Sequence, residues 1–149
     1  MIQGDRIFID MNPSALARAC RPRQWTKNLL VFAAPLFAFT VDADIWFAAS
    51  GSLVAFCLIS SAIYLLNDSL DVEADRQHPR KRYRPIAAGQ VSVPLAVTTS
   101  ALLAVLSLTL AAAVSAPLAG VILTYGLIQV GYCLRFKREP LLDLFCIAC

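Results

Sequence analysis

No charged side chain occurs from residue 45 to residue 66, and nearly every position in that run is apolar. Those 22 residues make about 33 Å of helix at roughly 1.5 Å per residue, enough for a hydrocarbon core of about 30 Å. Similar blocks cover residues 28–41, 91–115 and 117–134, and a fifth opens at Pro140 and runs to Cys149. Water has no role inside such blocks, so their backbone must satisfy itself, and helices are the simplest way. Composition agrees. Hydrophobic residues are 58% and charged residues 15% of the chain, against roughly 25% charged in a typical soluble domain. Mean hydropathy is +0.66. A soluble globule, a disordered chain, collagen and a coiled coil are excluded. The net charge of +3 is no nucleic-acid footprint in so apolar a chain. The expected fold is all-α: a polytopic transmembrane helix bundle with four spans and the start of a fifth.

Block 28–41 is short and contains Pro35. It crosses only if Trp25, Thr26 and Lys27 extend it and Lys27 snorkels to the interface. A signal peptide is the rival reading. The stretch before the block is too long for an n-region, and Val41, Asp42 and Ala43 make a poor cleavage site. Orientation follows from the cations. Arg6, Arg18, Arg21, Arg23 and Lys27 precede the first block. Arg76, Arg80, Lys81, Arg82 and Arg84 separate the second from the third. Arg135, Lys137 and Arg138 separate the fourth from the fifth. These are all 13 Lys and Arg residues, and the other two connections, 42–44 and 115–117, carry none. The N-terminus and the loops 67–90 and 135–139 are therefore expected in the cytoplasm, with the chain in the inner (plasma) membrane. Pro22, Pro79, Pro85, Pro94, Pro117 and Pro140 fall near proposed helix ends, where proline starts or stops helices. Of the five cysteines, Cys20, Cys57 and Cys133 sit in or beside apolar runs. Cys146 and Cys149 form a C-x-x-C with no second pair and no nearby histidine, so small hydrophobes are expected here, not a metal or redox centre.

The stretch 67–75 reads N-D-S-L-D-V-E-A-D and continues the second block. At about 100° per residue, Asn67, Asp71, Asp75 and Asp68 lie at about 0°, 40°, 80° and 100°, with Glu73 elsewhere. Three carboxylates and a carboxamide on one face repel one another and ask for a cation. Hard oxygen donors suit Mg²⁺, which takes one or two carboxylates and completes its shell with water and phosphate. Five cations follow in residues 76–84, so a metal-bridged diphosphate would meet carboxylates on one side and Arg or Lys on the other. The plainer reading is an acidic helix end before a positive-inside loop. It accounts for the cations but not for the acids. His78, the single histidine, reads as a loop residue before it reads as a general base.

At these residues the chain resembles the UbiA superfamily of intramembrane prenyltransferases. The signature N-D-x-x-D-x-x-x-D is matched by Asn67, Asp68, Asp71 and Asp75. R-P-[LI]-A-x-G is matched by Arg84 to Gly89, and R-P-x-Q-W-x-K-N by Arg21 to Asn28. The wording is most similar to the decaprenyl-phosphate phosphoribosyltransferase branch, in D-V-E-A-D-R-x-H-P, in K-R-[FY]-R-P-I-A-A-G, and in the stretch from Tyr132 to Lys137. The R-T-x-x-R-P usual in aromatic-acceptor members lacks its threonine here.

The resemblance implies transfer of 5-phosphoribosyl from 5-phosphoribosyl diphosphate to a polyprenyl (decaprenyl) phosphate with Mg²⁺. It assigns Asp68, Asp71 and Asp75 as catalytic and, with Asn67, as metal ligands. Asn67, Lys27, Lys81, Arg84, Tyr132 and Lys137 become substrate contacts. The implied partners are polyprenyl phosphate, a diphosphate donor and membrane lipid, without nucleic acid. Family members have about nine transmembrane helices and a second Asp-rich motif. Residues 1–20 are thus expected to be a cytoplasmic segment, and 21–149 the N-terminal half of a UbiA-type domain whose second half is absent. Residues 1–149 alone are expected not to turn over substrate, and a separate C-terminal half or a homo-oligomer would complete the site. An aromatic-acceptor prenyltransferase using a prenyl diphosphate and a truncated, non-catalytic membrane fragment stay open as alternatives. A transporter is disfavoured because no span carries a charge at its middle.

Overall fold

The computed structural model describes residues 13–134. They are all-helical, with no strand among them. A short helix, α1 (Pro13–Ala19), leads into a 3₁₀ helix over Pro22–Phe32 and then α2 (Ala33–Phe37). Helix α3 (Ala43–Leu70) is the long axis of the bundle, and α4 (Val72–Gln77) follows it after a single residue. A 3₁₀ turn at Lys81–Tyr83 precedes α5 (Val93–Val114) and α6 (Ala116–Leu134). Helices α3, α5 and α6 are each long and apolar enough to cross a membrane. The fifth block, residues 140–149, and the C-x-x-C of Cys146 and Cys149 lie outside the described residues.

The first apolar block differs from expectation. It is not one α-helix over residues 28–41. Helical backbone begins earlier, at Pro22, and stops at Phe37. Pro35 sits in the first turn of α2, where a missing N–H leaves no intrahelical bond unmade. The stop is a Schellman closure. Thr40 donates its backbone N–H to Pro35 O and Phe39 donates to Leu36 O, with Phe39 left-handed at φ 48°. The whole segment runs antiparallel along α3. Trp25 donates its indole N–H to Ser61 Oγ at 3.0 Å, Asn28 donates to Cys57 Sγ at 3.4 Å, and Phe32 stacks on Trp46 with ring centroids 5.9 Å apart.

Helix α3 starts where Asp42 accepts the backbone N–H of Asp44 at 2.9 Å, a cap that also suits the helix dipole. It packs against α5 through small residues. Ala55, Ala62, Ala96 and Ala111 are buried. Ser107 donates to Ala55 O and Ser100 to Ala62 O, both at 2.7 Å. Small side chains and cross-helix hydroxyls are the usual association devices in lipid, where apolar contact with a helix gains little over contact with lipid tails. At Gly51 the approach leaves no room for a side chain: an added Cβ would stand 2.7 Å from Val114 Cγ2. Ser115 turns the chain between α5 and α6, its hydroxyl accepting the N–H of Leu118. Much of α5 and α6 presents exposed apolar residues such as Leu102, Leu106, Leu123 and Leu127.

Two buried clusters result. One, in the middle of the bundle, joins Ala55, Ile59, Ala111 and Ile122. The other joins Ala15, Ala19, Leu65, Ile86, Val91 and Ala96. The second knits α1, the end of α3, the 86–91 turn and the start of α5 into one floor. The candidate site stands on that floor.

Candidate active site at the end of α3

The acid-rich stretch does not form one unbroken α-helix. Helix α3 ends at Leu70, and Asp71 has φ −94° and ψ 5° before α4 begins. The hydrogen-bond ladder still crosses the joint. Asp71 donates its N–H to Asn67 O at 3.0 Å and Asp75 donates to Asp71 O at 2.8 Å. The helical spacing expected of Asn67, Asp71 and Asp75 therefore survives, and all three line one cleft of about 450 Å³ with Ala74, His78, Lys81, Arg84 and Tyr132. Asp68 is not among the lining residues.

Arg84 is aimed by the turn that follows it. Its backbone is extended, φ −62° and ψ 143°, as a residue before proline prefers. From Pro85 the chain closes a Schellman turn: Gln90 donates to Pro85 O at 2.8 Å and Gly89 to Ile86 O at 3.1 Å. Gly89 occupies the left-handed position at φ 74°, which explains why a glycine ends R-P-I-A-A-G. Ile86 and Val91 pin this turn into the floor. The guanidinium of Arg84 thus sits 2.6 Å from Asp75 Oδ2 and 3.1 Å from Asp68 Oδ1 through one nitrogen.

Asp68 and Asp75 are each only 2% exposed. Charges so buried need compensation. Asp68 has it twice, because Arg21 donates to both of its oxygens at 2.7 and 2.9 Å. In the sequence Arg21 is marked only by its place at the head of R-P-x-Q-W-x-K-N, where the resemblance implies a phosphate contact at Lys27. Lys27 itself is exposed on the 3₁₀ helix and is not among the cleft-lining residues. Lys81, Arg84 and Tyr132 do line the cleft. Lys137 lies outside the described residues. Cys133, next to Tyr132, contacts Asn67 Oδ1 through its Sγ at 3.5 Å and ties the end of α6 to the site.

His78 acts as a turn residue. Its Nδ1 accepts the backbone N–H of Arg80 at 3.1 Å and of Lys81 at 3.2 Å. Both contacts need an unprotonated Nδ1. Beside Arg21, burial pushes the Cys20 thiol up, so it stays protonated and is a poor nucleophile. Among the described residues, no group of three or more His, Cys, Asp or Glu side chains is arranged to hold a metal ion. The cleft offers instead two carboxylates, Asp71 and Asp75, and the carboxamide of Asn67. That donor set fits Mg²⁺, which binds through one or two carboxylates and takes phosphate oxygens and water for the rest.

Residues 28–149 match the UbiA prenyltransferase family. The chain is 49% identical over 136 residues to a decaprenyl-phosphate phosphoribosyltransferase of Mycolicibacterium smegmatis, covering 88% of this chain and 43% of that protein. It is 45% identical over 137 residues to the Corynebacterium glutamicum protein of the same name, covering 87% of this chain and 40% of the relative. It is 43% identical over 136 residues to that of Mycobacterium tuberculosis, covering 88% and 45%. The chain therefore spans less than half the length of these curated relatives. Its long apolar helices make it a multi-pass membrane protein, and, with the match reaching through the acid-rich helix end and the arginine turn, the chain belongs to the UbiA prenyltransferase family.

Proposed function

We propose that this chain supplies the donor-diphosphate site of a membrane transferase that moves 5-phosphoribosyl from 5-phosphoribosyl diphosphate to a polyprenyl phosphate, with decaprenyl phosphate as acceptor. One observation carries the reading: a single cleft is lined by Asn67, Asp71 and Asp75 together with Lys81 and Arg84. Carboxylates alone would repel a diphosphate, and cations alone would not hold a metal ion. Together they suit a metal–diphosphate pair. Family membership and the names of the three relatives agree with it.

UbiA prenyltransferases use a divalent metal ion, and Mg²⁺ is the ion proposed here, held by Asn67, Asp71 and Asp75. When bound it neutralises charge on the leaving diphosphate. Lys81 and Arg84 add fixed positive charge where negative charge grows as the ribose C1–oxygen bond breaks. The acceptor phosphate brings its own anionic oxygen to C1, so no protein base is required, which fits a His78 engaged in the turn. Tyr132, which lines the cleft, is proposed to orient a phosphate through its hydroxyl, and Lys137 to join it. Lys27 is proposed as a phosphate contact at the membrane surface.

The proposal includes the membrane arrangement: the N-terminus, residues 1–20 and the site in the cytoplasm, the chain in the inner membrane, and 21–149 as the N-terminal part of a UbiA-type domain. A fourth crossing, by residues 22–37 with Lys27 snorkelling to the interface, is part of the proposal. Residues 22–37 reach about 30 Å with a rise of about 2.0 Å in the 3₁₀ part and about 1.5 Å in α2. The test joins this chain to the remaining C-terminal part of the M. smegmatis relative. Membranes carrying the chimera receive 5-phosphoribosyl diphosphate, decaprenyl phosphate and Mg²⁺. Metal-dependent formation of a lipid-linked phosphoribose is expected. Transfer of a prenyl group to an aromatic acceptor instead would overturn the reading.

A further inference from the structure

Asp68 stands apart from the rest of its motif. Asn67, Asp71 and Asp75 face the cleft, whereas Asp68 is buried behind it. Both its oxygens are occupied, by Arg21 at 2.7 and 2.9 Å and by Arg84 at 3.1 Å. The Arg21 guanidinium in turn lies 4.6 Å over the centre of the Tyr64 ring, so its plane is held from a second side. The backbone of Arg21 is left-handed, φ 53° and ψ 59°. Residues with a Cβ avoid that region unless their surroundings over-determine it, and such strain gathers at functional sites. Arg21 also caps the 3₁₀ helix, so the ion pair joins the first membrane segment to the site.

We infer that Asp68 is the counter-ion of Arg21 and a positioning residue for Arg84, and not a ligand of the metal ion. A carboxylate buried behind the cleft, with both oxygens on guanidinium groups, does not present itself to an ion in the cleft. A divalent ion brought to it would also meet two fixed positive charges. Arg84 shares one nitrogen between Asp68 and Asp75. Arg21 satisfies most of Asp68, which leaves Arg84 at the cleft edge beside Asp75. Without Arg21, Asp68 would draw Arg84 inward and away from the diphosphate. This deepens the proposed function and rests on it for the role of the metal; the ion pair itself does not.

The experiment is a double-mutant cycle in detergent on the chimera with the C-terminal part of the M. smegmatis relative, with Arg21→Gln, Asp68→Asn, the double variant and Asp71→Asn. Thermal loss of monodisperse protein measures the pair. Mn²⁺ binding with inorganic diphosphate, read by electron paramagnetic resonance, measures the site. Arg21→Gln and Asp68→Asn should each lower the midpoint by about 5 °C or more, and the double variant should lose clearly less than the sum. Should a single variant not fold, recovery of folded yield in the double is the same result. Asp68→Asn should hold Mn²⁺ affinity within about threefold, while Asp71→Asn loses about tenfold or more. Additive losses, or no recovery in the double, overturn the pair. Loss of Mn²⁺ in Asp68→Asn matching that in Asp71→Asn overturns its reassignment. If the unaltered chimera binds no Mn²⁺ with diphosphate, the metal-site reading fails, and the thermal cycle alone decides the ion pair.

Discussion

At the residue scale, the four acid-motif side chains divide by what surrounds them. Asp71 lines the cleft with Asn67 and Asp75, and its removal should cost chemistry without costing the fold. Asp71→Asn in the chimera is expected to lower phosphoribosyl transfer at least about 100-fold, as expected when charge stabilisation of a leaving group is lost, with unchanged membrane insertion. Turnover near the original value would reduce the acidic stretch to a solvated helix end. Arg84 predicts the reverse balance. Arg84→Ala leaves Asp75, 2% exposed, without the 2.6 Å partner it has now. Removing one member of a buried pair costs about 3 kcal/mol or more, so folded yield and thermal midpoint should fall along with activity. Helical spacing puts all four side chains on one face, and the resemblance makes Asp68 a metal ligand with the others; the cleft is lined by Asn67, Asp71 and Asp75 but not by Asp68. What spacing could not reveal was Arg21, because its partner lies 47 positions away and a cation before a membrane segment has an ordinary explanation in topology.

At the element scale, the long apolar helices were legible and the irregular one was not. Helices α3, α5 and α6 follow directly from blocks 45–66, 91–115 and 117–134, because length and uninterrupted hydropathy decide them. Block 28–41 was read as a short α-helix. Hydropathy does not distinguish the 3₁₀ rise from the α rise, and the true start at Pro22 lies among charged residues. Two turns close these elements in the same way with different residues. Gly89, at φ 74°, fits its left-handed site. Gly89→Ala should destabilise by about 1 kcal/mol and loosen Arg84, raising the donor KM more than it lowers kcat. Phe39, at φ 48°, strains the equivalent position. Phe39→Gly should relieve about 1 kcal/mol, and a higher thermal midpoint in detergent would show it. Between α3 and α5, Ser100→Ala and Ser107→Ala should each cost about 0.6 kcal/mol. They lie seven positions apart, so the two losses should add, and a double variant costing far more would mean that one hydroxyl holds the other helix turn in place.

At the scale of the whole molecule, the arrangement of charge and the chemistry of the proposed donor point to the same orientation. The site end of the bundle gathers Arg18 against Gln90, Arg21 against Asp68, Arg76 against Glu73 and Arg84 against Asp75. The opposite end of α3 carries Asp42 and Asp44 and no cation in its loop. Cytoplasmic loops hold the excess of Lys and Arg in multi-pass membrane proteins, so the proposed orientation has the site inside. A sugar diphosphate, carrying several negative charges, does not cross about 30 Å of hydrocarbon unaided. With the proposed donor, the cleft has to open on the side that supplies it, which in the proposed orientation is the cytoplasm. The two arguments are independent, since one concerns insertion of the chain and the other the solubility of its substrate. A phosphatase reporter that is active only outside the membrane should be active when inserted in residues 42–44 and silent in residues 77–83. A fluorescent reporter that folds only inside should give the opposite pattern. Activity of the external reporter in 77–83 would overturn the orientation. It would also break the proposed donor chemistry, because a cleft lined by Asp71, Asp75, Lys81 and Arg84 would then open away from any supply of sugar diphosphate.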